Sequence, residues 1–189
     1  MLTLIPKYFI VYKFLNSLFL GLSVGAIFTL YTPLEPSIYS LGGIFLALAM
    51  LLVAQLYYYI LNIRWFFRIS LFVELVLLLA IIIFMLYEYT YQTALLMYIG
   101  YQVTFVFGSY LIRTETLLLK TDTLLSKIDS AKQLGYLVGM ALSYLFYELL
   151  SHQNITQNKE QIYLLHYLLV VLEVMIILSI LKSFKTVED

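Results

Sequence analysis

Apolar residues run through this chain in long stretches, with short polar or charged breaks between them. A bilayer core is about 30 Å thick, so a helix needs roughly 20 mainly apolar residues to cross it. Six stretches reach about that length. The pattern predicts an all-α integral membrane protein made of one six-helix transmembrane domain, with spans at about 8–31, 37–61, 65–87, 92–113, 131–150 and 162–182.

The composition also indicates that lipid is the main solvent of these side chains. Of the 189 residues, 63% are hydrophobic and 12% are charged, and the mean hydropathy is +0.95. A soluble domain is roughly half apolar and about a quarter charged. The formal net charge is zero and no basic run has base-stacking neighbours, so we expect no nucleic-acid partner. The chain has no cysteine, which excludes disulfides and thiolate metal sites.

The distribution of lysine and arginine predicts the orientation of the chain. Cytoplasmic loops of membrane proteins are enriched in these residues, and only Lys159 falls on the other predicted side. The first apolar stretch is too long for a signal peptide, so we expect a retained helix. We therefore expect a multi-pass protein of the plasma or inner membrane with both termini cytoplasmic. The residues on the predicted cytoplasmic side are Lys7, Lys13, Arg64, Arg68, Arg113, Lys120, Lys127, Lys132, Lys182 and Lys185.

Small residues recur four positions apart in the first, fourth and fifth spans. Such stripes let two helices approach closely, which is the usual basis of helix packing in lipid. We expect these positions to serve packing rather than chemistry. The glycines concerned are Gly21, Gly25, Gly100, Gly108, Gly135 and Gly139.

Polar side chains lie on the first and fourth spans, away from the small residues. Polar atoms in hydrocarbon are costly unless they face a partner or a wet cavity. These side chains therefore either make hydrogen bonds between helices or line a substrate path. Arg113 would either hold an anionic group at the cytoplasmic mouth or anchor the helix end. The candidates for the path are Tyr12, Asn16, Ser23, Tyr98, Gln102, Ser109 and Arg113.

Two intramembrane carboxylates interrupt the apolar runs in equivalent places. Glu74 in F-V-E-L-V-L-L-L-A-I-I aligns with Glu173 in V-L-E-V-M-I-I-L-S-I-L. The third and sixth spans run in opposite directions, so the alignment suggests an inverted repeat of three plus three helices, an architecture common among transporters. A charge at the bilayer centre costs at least about 2.5 kcal/mol. Each carboxyl group is therefore either a proton-coupling or cation site, or a neutral hydrogen-bonded contact between helices or subunits.

His166 lies on the same predicted helix face as Glu173. A histidine and a glutamate two turns apart are the right residue types for a proton relay or a weak metal site. Two ligands are too few for a metal site, so the sequence predicts no metal and no other cofactor.

Three segments carry a family resemblance: K-F-L-N-S-L-F-L-G-L-S-V-G (13–25), S-I-Y-S-L-G-G-I-F-L-A (37–47), and the run from G-S-Y-L-I-R-T-E-T-L-L-L to K-Q-L-G-Y-L-V-G-M-A-L-S-Y-L (108–145). In this layout the chain resembles one six-helix half of a major facilitator superfamily transporter. In that family, a charged cytoplasmic linker joins a fourth helix to a glycine-patterned fifth helix. The family's gating loop, G-x-x-x-D-x-x-G-R-R/K, is replaced here by L-Y-Y-Y-I-L-N-I-R-W-F-F-R (56–68). Arg64 and Arg68 keep the positive charge, while the aspartate and both glycines are missing.

The leading hypothesis is a half-size, facilitator-like transporter of a small solute that acts as a homo- or hetero-dimer. The alternative is a non-transporting integral membrane subunit or scaffold that assembles with other membrane proteins. The missing gating loop and the family's twelve-helix layout favour the alternative, whereas the overall layout and the possible repeat favour transport. Signatures such as H-E-x-x-H and G-x-S-x-G are absent, so we expect no enzymatic activity. The expected partners are the lipid bilayer and a second copy or another membrane protein.

Overall fold

The computed structural model describes residues 2–87, 89–119 and 121–186. In chain order its elements are β1 (Leu2–Leu4), α1 (Pro6–Leu30), α2 (Pro36–Gln55), α3 (Tyr57–Ile60), α4 (Ile63–Leu86), α5 (Tyr91–Val106), α6 (Gly108–Leu119), α7 (Asp122–His152), α8 (Asn158–Ser183) and β2 (Phe184–Thr186). Within the described residues, six helical segments are long and apolar enough to cross a membrane, with α5 and α6 together forming one of them. The protein is therefore an all-α, multi-pass membrane protein, as the hydrophobic pattern predicts.

The polar breaks between the apolar runs supply the helix starts. Helices α1 and α2 begin at Pro6 and Pro36, where the missing N–H would have no helical partner in any case. The side chain of Asn62 caps α4 by accepting a hydrogen bond from the N–H of Trp65 at 3.1 Å. Thr90 and Thr93 form a reciprocal capping box at the start of α5.

The chain between the fourth and fifth spans differs from the prediction. The predicted spans end at 113 and resume at 131, which leaves residues 114–130 as a connection, but α6 continues to Leu119 and α7 already begins at Asp122. Charged residues are tolerated at the end of α6 and the start of α7 because only one face of each helical segment is buried. Thr114, Glu115 and Ile128 are buried, while their polar neighbours face outwards. The predicted fifth span is thus the later part of a longer helix.

The fourth span is not one continuous helix, because α5 ends before Phe107 and α6 begins after it. The N–H of Phe107 bonds the carbonyl oxygen of Thr104, three residues back, so the last turn of α5 is tightened. The following residue is Gly108, a poor helix former in this position. The N–H of Leu111 bonds the carbonyl oxygen of Phe107 at 2.9 Å, so the helix resumes directly after this irregular turn.

Helix α1 lies at the centre of the bundle and packs along α7 and α8. Helix α4 packs on α8 and α5, and α2 packs on α5. The largest apolar cluster among the described residues lies between α1, α4 and α8 and includes Phe9, Phe66, Ile81, Leu169 and Ile176. Helix α2 is the most exposed of the membrane-length helices, and Val53 is its single buried residue.

Three of the glycines allow the backbones of α1 and α7 to touch. A Cβ atom on Gly21 would overlap the carbonyl oxygen of Tyr136, and Cβ atoms on Gly135 and Gly139 would overlap the α1 backbone. Larger residues would therefore force the two helices apart.

The other glycines of the stripes have different surroundings. A Cβ on Gly25 would stand 3.6 Å from the Tyr147 ring, which is ordinary contact, and one on Gly108 would meet nothing within 4 Å. A Cβ on Gly100 would be 2.9 Å from the side chain of Ala80, so this glycine lies at the close contact between α5 and α4.

The described ends of the chain meet in a two-stranded antiparallel ribbon, in which Leu2 pairs with Thr186 and Leu4 with Phe184. The Phe184 ring packs against Phe66 and Phe67, with ring centroids 6.0 and 5.0 Å apart. The two chain ends and the start of α4 therefore lie at the same end of the bundle. We call this the ribbon end; its cytoplasmic location stays a prediction.

Candidate functional site

The two intramembrane glutamates meet inside the bundle. Glu74 on α4 is 2% exposed and Glu173 on α8 is fully buried. Their carboxyl groups lie within hydrogen-bonding reach of each other. Each residue belongs to the buried stripe of its own helix, and the two stripes face each other where α4 packs on α8.

Helix α1 supplies two hydrogen-bond donors to this pair. The hydroxyl group of Tyr12 donates to Oε1 of Glu74 at 3.1 Å, and the side-chain amide of Asn16 donates to the same oxygen at 2.9 Å. Tyr12 and Asn16 are one turn apart, so they lie on the same face of α1. We call Glu74, Glu173, Tyr12 and Asn16 the carboxyl cluster; it joins side chains from three spans.

The buried carboxyl oxygens of the carboxyl cluster need a shared proton to satisfy their hydrogen bonds. With both glutamates ionised, Oε2 of Glu74 and both oxygens of Glu173 would be buried without a donor from any described residue. Two like charges would also face each other in a medium of low dielectric constant. A proton on either carboxyl group turns that group into a donor to the other and leaves one negative charge on the pair.

A second charged group lies beside the carboxyl cluster. The Nζ atom of Lys13 is 2.6 Å from Oε2 of Glu115, and the Nζ atom of Lys132 is 2.5 Å from Oε1 of the same residue. Lys132 also reaches the exposed Asp129 at 3.2 Å. Lys13 follows Tyr12 in α1, so this ion triad of Lys13, Glu115 and Lys132 adjoins the carboxyl cluster. It ties α1, α6 and α7 together.

Glu115 is not among the residues predicted from the sequence, because it falls between the predicted fourth and fifth spans. A signal was present: Leu111, Glu115, Leu118 and Leu119 follow helical spacing. On such a helix Glu115 lies on the apolar stripe, where a carboxylate needs a cationic partner.

The structure does not bring the path candidates of the first and fourth spans together in one wall. Tyr12 and Asn16 face α4 in the carboxyl cluster. Ser23, on the same helix, is buried and donates to the carbonyl oxygen of Leu20 at 3.2 Å. The polar face of α1 is therefore turned into the bundle rather than towards a shared path.

The candidates on the fourth span lie elsewhere. Tyr98 is buried against α2, and Gln102 lines an apolar groove of about 290 Å³ between α2 and α5. Ser109 and Arg113 follow the break at Phe107 and are exposed on α6. The Arg113 guanidinium lies 5.6 Å from the centre of the Tyr57 ring.

His166 is fully buried, with Nδ1 2.7 Å from the carbonyl oxygen of Ile162 and its ring 4.3 Å from that of Phe84. Among the hydrogen bonds of the described residues, none joins His166 to Glu173. Within the same described ranges, no group of three or more histidine, aspartate or glutamate side chains is placed to hold a metal ion.

The carboxyl cluster can bind and release a proton at a site enclosed by helices. Comparison of the chain with protein-family models, with curated proteins and with solved structures finds no match. Function is therefore inferred from the side chains of the site and their surroundings.

Proposed function

We propose that this chain is a half-size, proton-coupled transporter of a small solute, in which Glu74 and Glu173 carry the coupling proton. The observation that carries the proposal is the meeting of two ionisable side chains in the bundle core. Ionisable groups inside a membrane domain are costly and commonly mark ion or proton pathways. A neutral amide pair would join α4 and α8 equally well, so a merely structural contact does not need two carboxyl groups.

The proposed step is a simple proton exchange. The ionised pair takes up one proton, which one carboxyl oxygen then holds and donates to the other carboxylate. Release of the proton returns the pair to two negative charges, which repel each other across the α4–α8 contact. The change in charge thus biases the packing of these two helices and supplies a link between protonation and conformation.

The arrangement of the spans supports an inverted repeat. In such a repeat, α1, α2 and α4 correspond to α5, α7 and α8. The contact between α1 and α7 then corresponds to the contact between α5 and α2, and the contact between α1 and α8 corresponds to the contact between α5 and α4. Helices α4 and α8 correspond to each other, so their contact is its own counterpart. These are the most extensive contacts between the spans. Glu74 and Glu173, which align in the sequence, both lie at the α4–α8 contact, and this arrangement fits an inverted repeat.

The proposed working unit follows the facilitator resemblance. In that family two six-helix halves enclose the substrate path, so we propose a homo- or hetero-dimer with both chain ends in the cytoplasm. The ion triad of Lys13, Glu115 and Lys132 adjoins the carboxyl cluster.

A membrane subunit or scaffold is the second candidate function, and the exposure of α2 favours it. This helix presents large apolar side chains such as Phe45, Leu48 and Leu52 outwards, and a Cβ atom on Gly43 would meet nothing within 4 Å. Such a surface suits packing against the helices of another membrane protein.

Proteoliposomes separate the two functions. The purified protein is reconstituted with a trapped pH-sensitive dye, and proton flux is recorded while a panel of small solutes is added. We expect at least one solute to move together with protons in the wild type. Flux should be lost in Glu74→Gln and Glu173→Gln and retained in Glu148→Gln, which removes an exposed carboxylate from α7.

The assembly state is measured on the same samples. Glutamine variants that fold and assemble like the wild type but lose proton flux support the transporter. Variants that retain the fold but no longer assemble with the second copy or the partner support the membrane subunit and contradict a coupling role.

A further inference from the structure

An apolar groove of about 570 Å³ opens on the surface of the bundle where α2 and α3 approach α4. Val53 and Leu56 line one side, Ile69 and Phe72 line the other, and Phe107 lies at the junction of α5 and α6. The groove is apart from the carboxyl cluster and from the ion triad. Arg68 is its one charged lining residue among those that the structure describes.

The charge of Arg68 is not neutralised by a carboxylate. Its guanidinium group lies 5.4 Å from the centre of the Trp65 ring, and none of the ion pairs between described residues includes it. Arg68 is exposed. A cation that stacks on an aromatic ring and remains open to the outside is able to bind an anion.

The position of Arg68 along α4 places this cation near a membrane surface. Phe66 and Phe67, immediately before it, contact Phe184 at the ribbon end of the bundle. Tryptophan is enriched at the level of lipid headgroups, and Trp65 lies one turn before Ile69 on the rim of the groove. From Trp65 the groove extends along α4 to Phe72, about 10 Å at 1.5 Å per residue. A charged rim at headgroup level therefore leads into an apolar trough within the hydrocarbon layer.

We propose that this groove is a binding site for an anionic glycerophospholipid, with the lipid phosphate on Arg68 and one acyl chain between α2 and α4. The apolar walls match an acyl chain, and the unpaired guanidinium matches a phosphate group. A zwitterionic lipid carries its own cation beside the phosphate and gains less from Arg68. This site does not depend on whether the protein transports a solute.

Trp65 makes the test direct, because it is the single tryptophan of the chain and lines the groove. The full chain is reconstituted in phosphatidylcholine that contains a small fraction of a lipid with brominated acyl chains, which quench tryptophan fluorescence on contact. Phosphatidylglycerol and phosphatidylcholine with the same brominated chains are compared. One well-placed cation is worth about a fivefold preference, so we expect phosphatidylglycerol to bind Trp65 about fivefold more tightly.

The variants distinguish a site from general surface charge. Arg68→Gln should abolish the preference, while Arg64→Gln, which removes an exposed cation one turn earlier on α4 and outside the groove, should retain it. Equal quenching by the two lipids in the wild type would overturn the proposal. So would an equal loss of preference in the two variants, or removal of the preference by inorganic phosphate in the buffer.

Discussion

The carboxyl groups of Glu74 and Glu173 face each other within hydrogen-bonding reach where α4 packs on α8, in the core of the bundle. Tyr12 and Asn16 bind the Glu74 side of this pair from α1. Two residues that look like separate interruptions of apolar runs are therefore one buried unit. Its charge depends on a single proton, and its packing involves three of the six spans.

Replacing Tyr12 by phenylalanine removes one of the two donors to Oε1 of Glu74. We expect the free energy of unfolding in detergent to fall by about 1 kcal/mol, because Asn16 still serves the same oxygen. The fall should vanish when Tyr12→Phe is made in the Glu74→Leu background. Tyr167→Phe removes an exposed hydroxyl on α8 and is the matched control. A Tyr12→Phe variant as stable as this control would contradict the hydrogen bond.

Replacing Glu115 by glutamine leaves Lys13 and Lys132 without their shared anion. Removing one partner of a buried ion pair costs about 3–5 kcal/mol, so this variant should be among the least stable. Asp129→Asn removes an exposed carboxylate that contacts the same lysine, and should cost less than about 1 kcal/mol. Similar unfolding curves for the two variants would show that Glu115 is not a buried anchor.

Two alanine variants on α1 test the close contact between α1 and α7. Gly21→Ala places a methyl group against the backbone of α7 and should destabilise the fold by about 1–3 kcal/mol. Gly25→Ala, one turn later, has room for the methyl group and gains helix propensity of about 1 kcal/mol. Thermal unfolding should therefore shift in opposite directions for the two variants. Shifts in the same direction would exclude backbone contact at Gly21.

The pairing of the chain ends is open to cross-linking because the protein has no cysteine of its own. Thr3 and Lys185 are partners in the ribbon, and paired residues of antiparallel strands are close enough for a disulfide. The variant with cysteines at both positions should cross-link under mild oxidation. Cysteines at Thr3 and Gln153 should not, because Gln153 follows the far end of α7.

Single cysteines placed at the same three positions report the orientation in sealed vesicles. A membrane-impermeant thiol reagent should modify cysteines at Thr3 and Lys185 from the cytoplasmic side and a cysteine at Gln153 from the opposite side. Modification of all three from one side would refute the predicted topology.

The hydrophobic pattern predicts the helices better than it predicts what lies between them. The six membrane-length helices follow from the lengths of the apolar runs, since lipid leaves few alternatives to a helix. The charged residues between 114 and 130 mask the helical spacing of Leu111, Glu115 and Leu118, so the sequence pattern predicts a connection where the second half of α6 and the start of α7 lie. The break at Phe107 does not occur at a proline, so the sequence gives no clear local signal for it.

The candidate site was predictable in part. Alignment of the two apolar segments suggests that Glu74 and Glu173 are equivalent residues. It does not show that they touch, because their contact depends on how α4 packs on α8. The association of Tyr12 and Asn16 with Glu74 depends on the rotation of α1, which the Gly21 contact with α7 helps to fix. The sequence contains no local signal for either relation.

Infrared difference spectroscopy tests the shared proton most directly. Spectra of the reconstituted protein are recorded at neutral pH for the wild type, Glu74→Gln, Glu173→Gln and the control Glu148→Gln. We predict a protonated carboxyl C=O band in the wild type and in the control that shifts or disappears in both of the other variants, because the shared proton then loses its carboxylate acceptor. A wild type without this band, or a band that is unchanged when either glutamate of the pair is replaced, would contradict a proton shared by Glu74 and Glu173.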